Sequence, residues 1–220
     1  MNRLRRFYSA AIGKKIVMGV TGLIGVGFVM LHMAGNLLAF RGPEAINAYA
    51  HFLASTGELL WVLRLVLIGA VILHIIAAYQ LTMQNRAARP LGYVKREPQV
   101  STWGARTMRW TAVLLLVFIP LHIMHFTNPG WRPEGIFEKS DVFTNIVMSF
   151  RIWWIMLFYV VSMFALGLHL YHGAWSSVRS IGASQPSSNP QHRTVAMAVT
   201  MIIWLGFTAV PVAVFFGLIG

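Results

Sequence analysis

The sequence contains no cysteine and few charged residues. The absence of cysteine excludes disulfides, thiolate-bound iron–sulfur clusters and covalently attached c-type haem from this chain. Only 11% of the 220 residues are charged, whereas a soluble domain usually carries about 25%. Acidic residues are the scarcest, at six against 18 lysines and arginines. This composition indicates an integral membrane protein.

Long uncharged runs are present instead. A helix needs about 20 apolar residues to span the hydrocarbon core, and five runs have about that length: 16–40, 65–85, 110–128, 152–178 and 194–220. The third run contains Pro120, where we expect a kink. The first run is too long for the apolar part of a signal peptide, so we expect it to be retained. The predicted fold is an all-α membrane bundle of five helices, forming one domain over residues 1–220.

The net charge of +12 lies on one side of the predicted membrane. The N-terminal segment and the loops at 86–109 and 179–193 hold thirteen basic residues against Glu97, whereas the other side holds five of each sign. The positive-inside rule then predicts a multi-pass protein of the cytoplasmic (inner) membrane, with the N-terminus in the cytoplasm and the C-terminus outside. Nucleic acid is not expected as a partner. The basic face suits a partner subunit or membrane lipid.

Six of the eight histidines lie within the predicted spans. They are His32 in the first, His74 in the second, His122 and His125 in the third, and His169 and His172 in the fourth. Ionisable residues at membrane depth are costly and need partners, yet no carboxylate is predicted near the bilayer centre. Counting along helices that alternate in direction predicts two levels, each with histidines from two helices.

Two imidazoles from facing helices are the ligands that a six-coordinate haem iron requires. His32 and His122, the outer pair, both fall in the outer half of the membrane. His74 and His169, the inner pair, both fall in the inner half. A flat, apolar porphyrin fits a four-helix interior. The pattern therefore predicts two haem b groups, each with two axial histidines.

Other readings use the same residues. His125 and His172 each follow a predicted ligand by three residues, so either is an alternative ligand or a partner for a propionate, a quinone or water. A metal-transport site would also use these histidines, although such a site usually adds carboxylates. Gly35 and Gly167, beside predicted ligands, are expected to leave room for a porphyrin.

Four segments carry a resemblance to a known family. LHMAGNLLAFRGPEAINAYAHFL (31–53) and LHLYHGAWSSVRSIG (168–182) are the strongest, and the second has the pattern His-x-x-x-Gly-x-Trp. ILHIIAAYQLTMQNR (72–86) and PLHIMHF (120–126) add order and spacing. Together they resemble the cytochrome b membrane anchor of succinate:quinone oxidoreductases, in the group with one anchor polypeptide, five spans and two haems.

The resemblance implies one haem ligand from each of the first four spans, and matching the segments gives the same outer and inner pairs. It also implies a complex. A flavoprotein subunit would interconvert succinate and fumarate, and an iron–sulfur subunit would pass electrons to this anchor, which would itself carry no catalytic residue for the dicarboxylate. Some fumarate reductases of this group have an acidic residue where this chain has Gly167, so a proton path through that carboxylate is not expected.

The quinone in this group is commonly menaquinone, and it would react near the outer haem. His51, Glu58 and His125 are the candidate contacts. The alternative within electron transfer is the cytochrome b subunit of a hydrogenase or formate dehydrogenase, which also holds two bis-histidine haems. The alternative from another class is a histidine-lined metal or proton transporter.

Overall fold

A computed structural model describes residues 2–88, 103–128, 140–180, 182 and 188–220. The regular secondary structure of these residues is entirely helical, which confirms the predicted all-α class for this part of the chain. The elements are α1 (Arg3–Ser9), α2 (Ala11–Asn36), a 3₁₀ turn (Leu37–Arg41), α3 (Pro43–Ser55), α4 (Glu58–Ala87), α5 (Trp103–Thr127), α6 (Val142–Phe150), α7 (Trp153–Ser180) and α8 (Asn189–Phe215).

Five of these helices are long and apolar enough to cross a bilayer, which confirms the five predicted spans. They are α2 with its 3₁₀ extension, α4, α5, α7 and α8, and they have between 25 and 31 residues. Even the shortest, α5, is about 37 Å long at 1.5 Å per residue, whereas the hydrocarbon core is about 30 Å thick. The chain is therefore a multi-pass membrane protein.

Small polar residues line part of the interior, while large apolar side chains cover the outside. Ser149 and Ser162 are fully buried, and their hydroxyls donate to the carbonyls of Asn145 and Phe158, one turn earlier. In a membrane bundle this arrangement is favourable because lipid solvates the outer apolar surface while internal bonds satisfy the buried polar groups.

Helices α2 and α7 form the centre of the bundle. α2 packs against α4, α7 and α8, and α7 also packs against α5 and α8. Small residues mark the close approaches. Gly19 of α2 faces Ser177 of α7, and Gly206 of α8 faces Met33 of α2. A side chain at Gly104 of α5 would collide with α7. The histidine-bearing spans are thus arranged around a shared interior.

Gly35 and Gly167 each face a neighbouring helix. A Cβ added to Gly35 would lie 2.6 Å from Cε1 of Tyr49 on α3, and one added to Gly167 would lie 3.7 Å from Cβ of Trp204 on α8. Gly35 therefore leaves room for Tyr49 and not for a porphyrin, whereas a Cβ at Gly167 would make only an ordinary contact, so the role expected of Gly167 stays a prediction.

The bundle has two chemically different ends. At the first, which we name the basic end, the amide of Gln84 on α4 lies 3.5 Å from the carbonyl of Ser9. Arg193 of α8 lies there over the ring of Trp175 on α7, at 4.6 Å. The other end, which we name the neutral end, holds the 3₁₀ turn, α3 and α6. Asn47 joins α3 to α6, because its amide donates a hydrogen bond to Asp141 at 2.9 Å.

Apolar residues at helical spacing within 41–58 (Ile46, Tyr49, Phe52 and Leu53) predict a short interfacial helix outside the membrane, and α3 forms there. Ile46 is only 3% exposed, whereas Phe52 is 63% exposed. The interfacial position of α3 stays a prediction. The composition of residues 182–193 predicts a polar turn between the fourth and fifth spans; residues 183–187 lie outside the described residues, and 189–193 form the start of α8. The sidedness of the two bundle ends stays a prediction.

Candidate functional site

The structure brings the outer pair together. The ring centroids of His32 on α2 and His122 on α5 are 5.9 Å apart, with an angle of 72° between the planes. Phe28, one turn before His32, stacks on that ring at 5.5 Å. Phe207 of α8 lies 5.7 Å from the same ring. Aromatic side chains thus fix His32 at an apolar junction of three helices.

A tyrosine hydroxyl orients His122. Nδ1 of His122 lies 3.2 Å from the hydroxyl of Tyr159 on α7, and Nδ1 of His125 lies 2.9 Å from the same hydroxyl. A histidine that binds a metal through Nε2 keeps its proton on Nδ1. Nδ1 of His122 would then donate to Tyr159, whose O–H donates to Nδ1 of His125. This series of hydrogen bonds leaves Nε2 of His122 available as a ligand.

The inner pair also meets across the interior. The ring centroids of His74 on α4 and His169 on α7 are 6.2 Å apart, at 57° between planes. Nδ1 of His74 lies 3.0 Å from the carbonyl oxygen of Met18 and 3.3 Å from the hydroxyl of Thr21, both on α2. The Thr21 hydroxyl itself donates to a carbonyl one turn earlier. Nδ1–H of His74 therefore has acceptors, and Nε2 is left for a metal.

A glycine makes room for the His74 ring. A Cβ on Gly22 would lie 3.3 Å from Cε1 of His74, closer than side chains normally approach. Nδ1 of His169 is buried and makes no hydrogen bond within the described part of the chain. A buried polar nitrogen without a partner is costly. The ring of His74 is thus held by hydrogen bonds to α2, whereas Nδ1 of His169 has no hydrogen bond among the described residues.

The two pairs lie at different depths. On α2, Gly22 touches His74 and so marks the level of the inner pair, and His32 of the outer pair follows it by ten residues. On α7, Tyr159 contacts His122 and so marks the level of the outer pair, and His169 of the inner pair follows it by ten residues. At 1.5 Å per residue both helices give a separation of about 15 Å along the bundle. Both levels lie within the candidate spans, one above the other along the bundle.

Both pairs have the ring separation expected of two imidazoles that bind one iron. Two metal–imidazole bonds of about 2 Å in line separate ring centroids by roughly 6 Å, close to the 5.9 and 6.2 Å found here. Among the described residues no group of three or more His, Asp or Glu side chains could hold a metal ion. Haem iron needs only two protein ligands, since the porphyrin supplies the others. The residues therefore fit haem.

The alternative ligands point elsewhere. His125 is 5% exposed, and its ring lies beside Phe126 and Tyr159. Cβ of His172 lies 3.2 Å from a Cβ built on Gly104 of α5, and its ring is perpendicular to that of Trp175 at 5.5 Å. His172 thus borders α5, whereas His169 faces α4.

The candidate quinone contacts are not brought together by the contacts described. His51 is exposed on α3, and Glu58 is exposed as the first residue of α4. His125 is buried near the end of α5. All three belong to the neutral end, and their role in quinone binding stays a prediction.

Two supporting residues were missed by the sequence analysis. Tyr159 and Thr21 each carry a hydroxyl inside an otherwise apolar span, and a buried tyrosine hydroxyl usually has a hydrogen-bond partner. That signal could have nominated Tyr159. The backbone acceptor at Met18 has no signature in the sequence, because every residue has a carbonyl group.

One known protein is similar to this chain over almost its whole length. It is the succinate dehydrogenase cytochrome b558 subunit of Bacillus subtilis (strain 168), with 25% identity over 203 residues, which cover 90% of this chain and 92% of that protein. No protein-family model matches the chain, and no solved structure matches it.

Proposed function

We propose that this chain is the membrane anchor and dihaem cytochrome b subunit of a succinate dehydrogenase. In that role it transfers electrons between an iron–sulfur subunit and quinone within the membrane. The observation that carries the proposal is the presence of two facing histidine pairs at two depths of one membrane bundle. The similarity to the Bacillus subtilis subunit supports the assignment to this complex.

In this proposal the outer pair, His32 and His122, holds one haem b, and the inner pair, His74 and His169, holds the other. Bound haem supplies reversible one-electron transfer between the two faces of the membrane. The chain's own contribution is to fix the ligand rings. The Met18 carbonyl and Tyr159 hydroxyl hold the Nδ1 protons of His74 and His122, so each ring presents Nε2 to the iron.

The distribution of charge supports the arrangement of the complex. The basic end would face the cytoplasm and dock the iron–sulfur subunit, which itself receives electrons from the flavoprotein subunit. The inner pair lies nearer that end, because Gly22 precedes His32 on the outward-running α2. Quinone, menaquinone in this proposal, would react near the outer pair, with His51, Glu58 and His125 as candidate contacts.

Haem content tests the proposal directly. The pyridine haemochrome assay on the purified protein is expected to give about two haems b per chain, because each histidine pair holds one. A haem-to-chain ratio near one would mean that one of the two histidine pairs binds no haem and has only a packing role. A colourless protein would favour the histidine-lined transporter instead.

Partner analysis separates the proposal from related cytochromes. Purification of the tagged chain from mild detergent is expected to retain a flavoprotein and an iron–sulfur subunit, with succinate-dependent reduction of the haem bands. Retention of hydrogenase or formate dehydrogenase subunits would assign the chain to one of those complexes, while leaving the dihaem arrangement intact.

A further inference from the structure

A lysine is buried at the basic end of the bundle. Lys14, near the start of α2, is 6% exposed. Its ammonium donates to the carbonyl of Ser9 at 3.0 Å and lies 5.3 Å from the centre of the Tyr8 ring. The next residue, Lys15, is exposed. Neither contact of Lys14 supplies a negative charge.

No described carboxylate lies near this ammonium. The acidic residues that the structure describes are Glu44, Glu58 and Asp141, all at the neutral end. Glu58 begins α4, and the part of α4 beside Lys14 starts at Tyr79. A separation of 21 residues places the two positions about 32 Å apart. A buried cation needs a compensating partner, so the charge of Lys14 calls for an anion from outside this part of the chain.

Lys14 borders a cavity that has room for such an anion. The cavity has a volume of about 400 Å³ and is lined by Tyr8, Lys14, Tyr79, Gln80, Met83 and Gln84. The cavity therefore offers a positive charge, which suits an anion.

An apolar stripe runs from this cavity toward the middle of the bilayer. Ile72, Ile76, Tyr79 and Met83 recur every three or four residues, so they lie on one face of α4. They are 51%, 41%, 65% and 44% exposed, respectively. Tyr79 and Met83 also line the cavity. A ligand with an acyl chain could cover this stripe, whereas a free phosphate ion could not.

We propose that the Lys14 cavity binds an anionic membrane phospholipid. Lys14 pairs with the phosphate, and an acyl chain lies along the α4 stripe. The site is separate from both histidine pairs. It depends only on the chain being embedded in a membrane, and not on the proposed electron transfer.

Native mass spectrometry of the full chain in detergent tests this site. Phosphatidylglycerol is titrated into delipidated wild type and into Lys14→Gln, with Lys15→Gln as the matched charge control. Loss of one charge-assisted hydrogen bond is expected to weaken phosphatidylglycerol binding about tenfold in Lys14→Gln. Lys15→Gln is expected to bind like wild type, because its side chain is exposed. Equal weakening in both variants would mean only general attraction to the basic face and would overturn the proposal.

Further measurements identify the kind of ligand that binds and control for misfolding of the variant. Phosphatidylcholine is expected to bind wild type more weakly than phosphatidylglycerol, since it is zwitterionic and carries no net negative charge. Inorganic phosphate is expected not to displace the lipid, and displacement would identify a phosphate-ion site instead. Lys14→Arg keeps the charge and is expected to retain binding. If Lys14→Gln fails to fold, wild type that binds both lipids equally would still refute the proposal.

Discussion

At the scale of single residues, the two histidine pairs differ in what holds their Nδ1 protons. His74 uses a backbone carbonyl, and His122 uses the hydroxyl of Tyr159, which is shared with His125. A hydrogen bond from Nδ1–H raises the basicity of an imidazole ligand and so favours oxidised iron. The two haems in the proposed function would therefore be tuned by different groups, one of which a point mutation can remove.

Tyr159→Phe is expected to raise one of two haem midpoint potentials. The variant removes the acceptor for Nδ1 of His122, so that ring donates less charge to the iron. A hydrogen bond worth about 1 kcal/mol corresponds to a shift of roughly a few tens of millivolts. A redox titration followed in the visible bands measures this. Tyr49→Phe, whose ring packs on Gly35, is the control, and a shift of both potentials or of neither would contradict the assignment.

His169→Ala is expected to remove one haem and leave the other. His74 on α4 would lose the ligand that faces it at 6.2 Å, while the outer pair is untouched about 15 Å away. The haem-to-chain ratio should fall from about two to about one. His172→Ala is the control, because His172 borders α5. If only His172→Ala lost a haem, the ligand assignment would pass to His172.

At the scale of helices, three glycines of α2 recur every three residues, at Gly19, Gly22 and Gly25, but have different surroundings. Gly19 packs against α7 and Gly22 against the ring of His74, whereas added Cβ atoms at Gly25 and Gly27 would meet nothing within 4 Å. From the sequence, small residues at this spacing are open to two interpretations, close helix packing or space for a flat ligand. The contacts at Gly19 and Gly22 show helix packing and clearance for a histidine ring.

Gly22→Val is therefore expected to lower inner haem occupancy. Its Cβ alone would lie 3.3 Å from Cε1 of His74, and the two methyl groups would push that ring away from His169. Gly27→Val is the matched control, since it places the same residue on an exposed part of the same helix. Haem spectra of both variants measure the effect. Equal losses would mean that valine in α2 disturbs the helix itself.

The short helix α6 depends on a carboxylate cap. Asp141 accepts hydrogen bonds from the backbone N–H and the hydroxyl of Thr144, at 3.0 and 2.6 Å, and from the amide of Asn47 on α3. The hydrogen bond from the Thr144 hydroxyl is the main cause that lowers the pKa of Asp141 below its ordinary value. Because the folded state favours the carboxylate, this stabilisation is present above the ordinary pKa and is lost as pH falls through the lowered one.

Asp141→Ala is expected to lower stability at neutral pH by about 1 kcal/mol, the usual effect of losing an N-cap. The difference from wild type should shrink as pH falls through the lowered pKa of Asp141, because the wild-type carboxylate then takes up a proton. Thermal unfolding in detergent across this pH range measures it, with the neighbouring Ser140→Ala as control. A difference that stays constant with pH would exclude the charge as its source.

At the scale of the whole molecule, the ends of the helices sort by charge. The described acidic residues lie at the neutral end, and the basic end carries Arg86, Arg106 and Arg193 at the ends of three different spans. Reversal in the membrane would place this excess outside, against the usual bias. The expected topology therefore has the basic end in the cytoplasm.

Cysteine labelling checks that topology, and the absence of natural cysteines gives a clean background. Asn85→Cys at the basic end and Ser140→Cys at the neutral end both substitute exposed residues. In intact cells an impermeant maleimide is expected to label Ser140→Cys and not Asn85→Cys. The reverse pattern would invert the orientation and exchange the outer and inner haem assignments.

The sequence by itself determined the five spans, the helical class and the helix in the 41–58 connection. These features depend on length, hydropathy and local spacing, which are properties of contiguous residues. Depth along a span is local too. Counting residues was thus enough to predict that His32 meets His122 and that His74 meets His169, as the structure places them. Their role as haem ligands stays a prediction.

Only the tertiary structure decided what each face of a helix meets. The contacts of Gly35 and Gly167 with α3 and α8, the bonds from Tyr159 to two histidines, and the burial of Lys14 all depend on how neighbouring helices are rotated and offset. A membrane span is apolar on most sides, so its periodicity carries little information about that rotation. The rotation is fixed instead by the fit of small residues and side chains between helices.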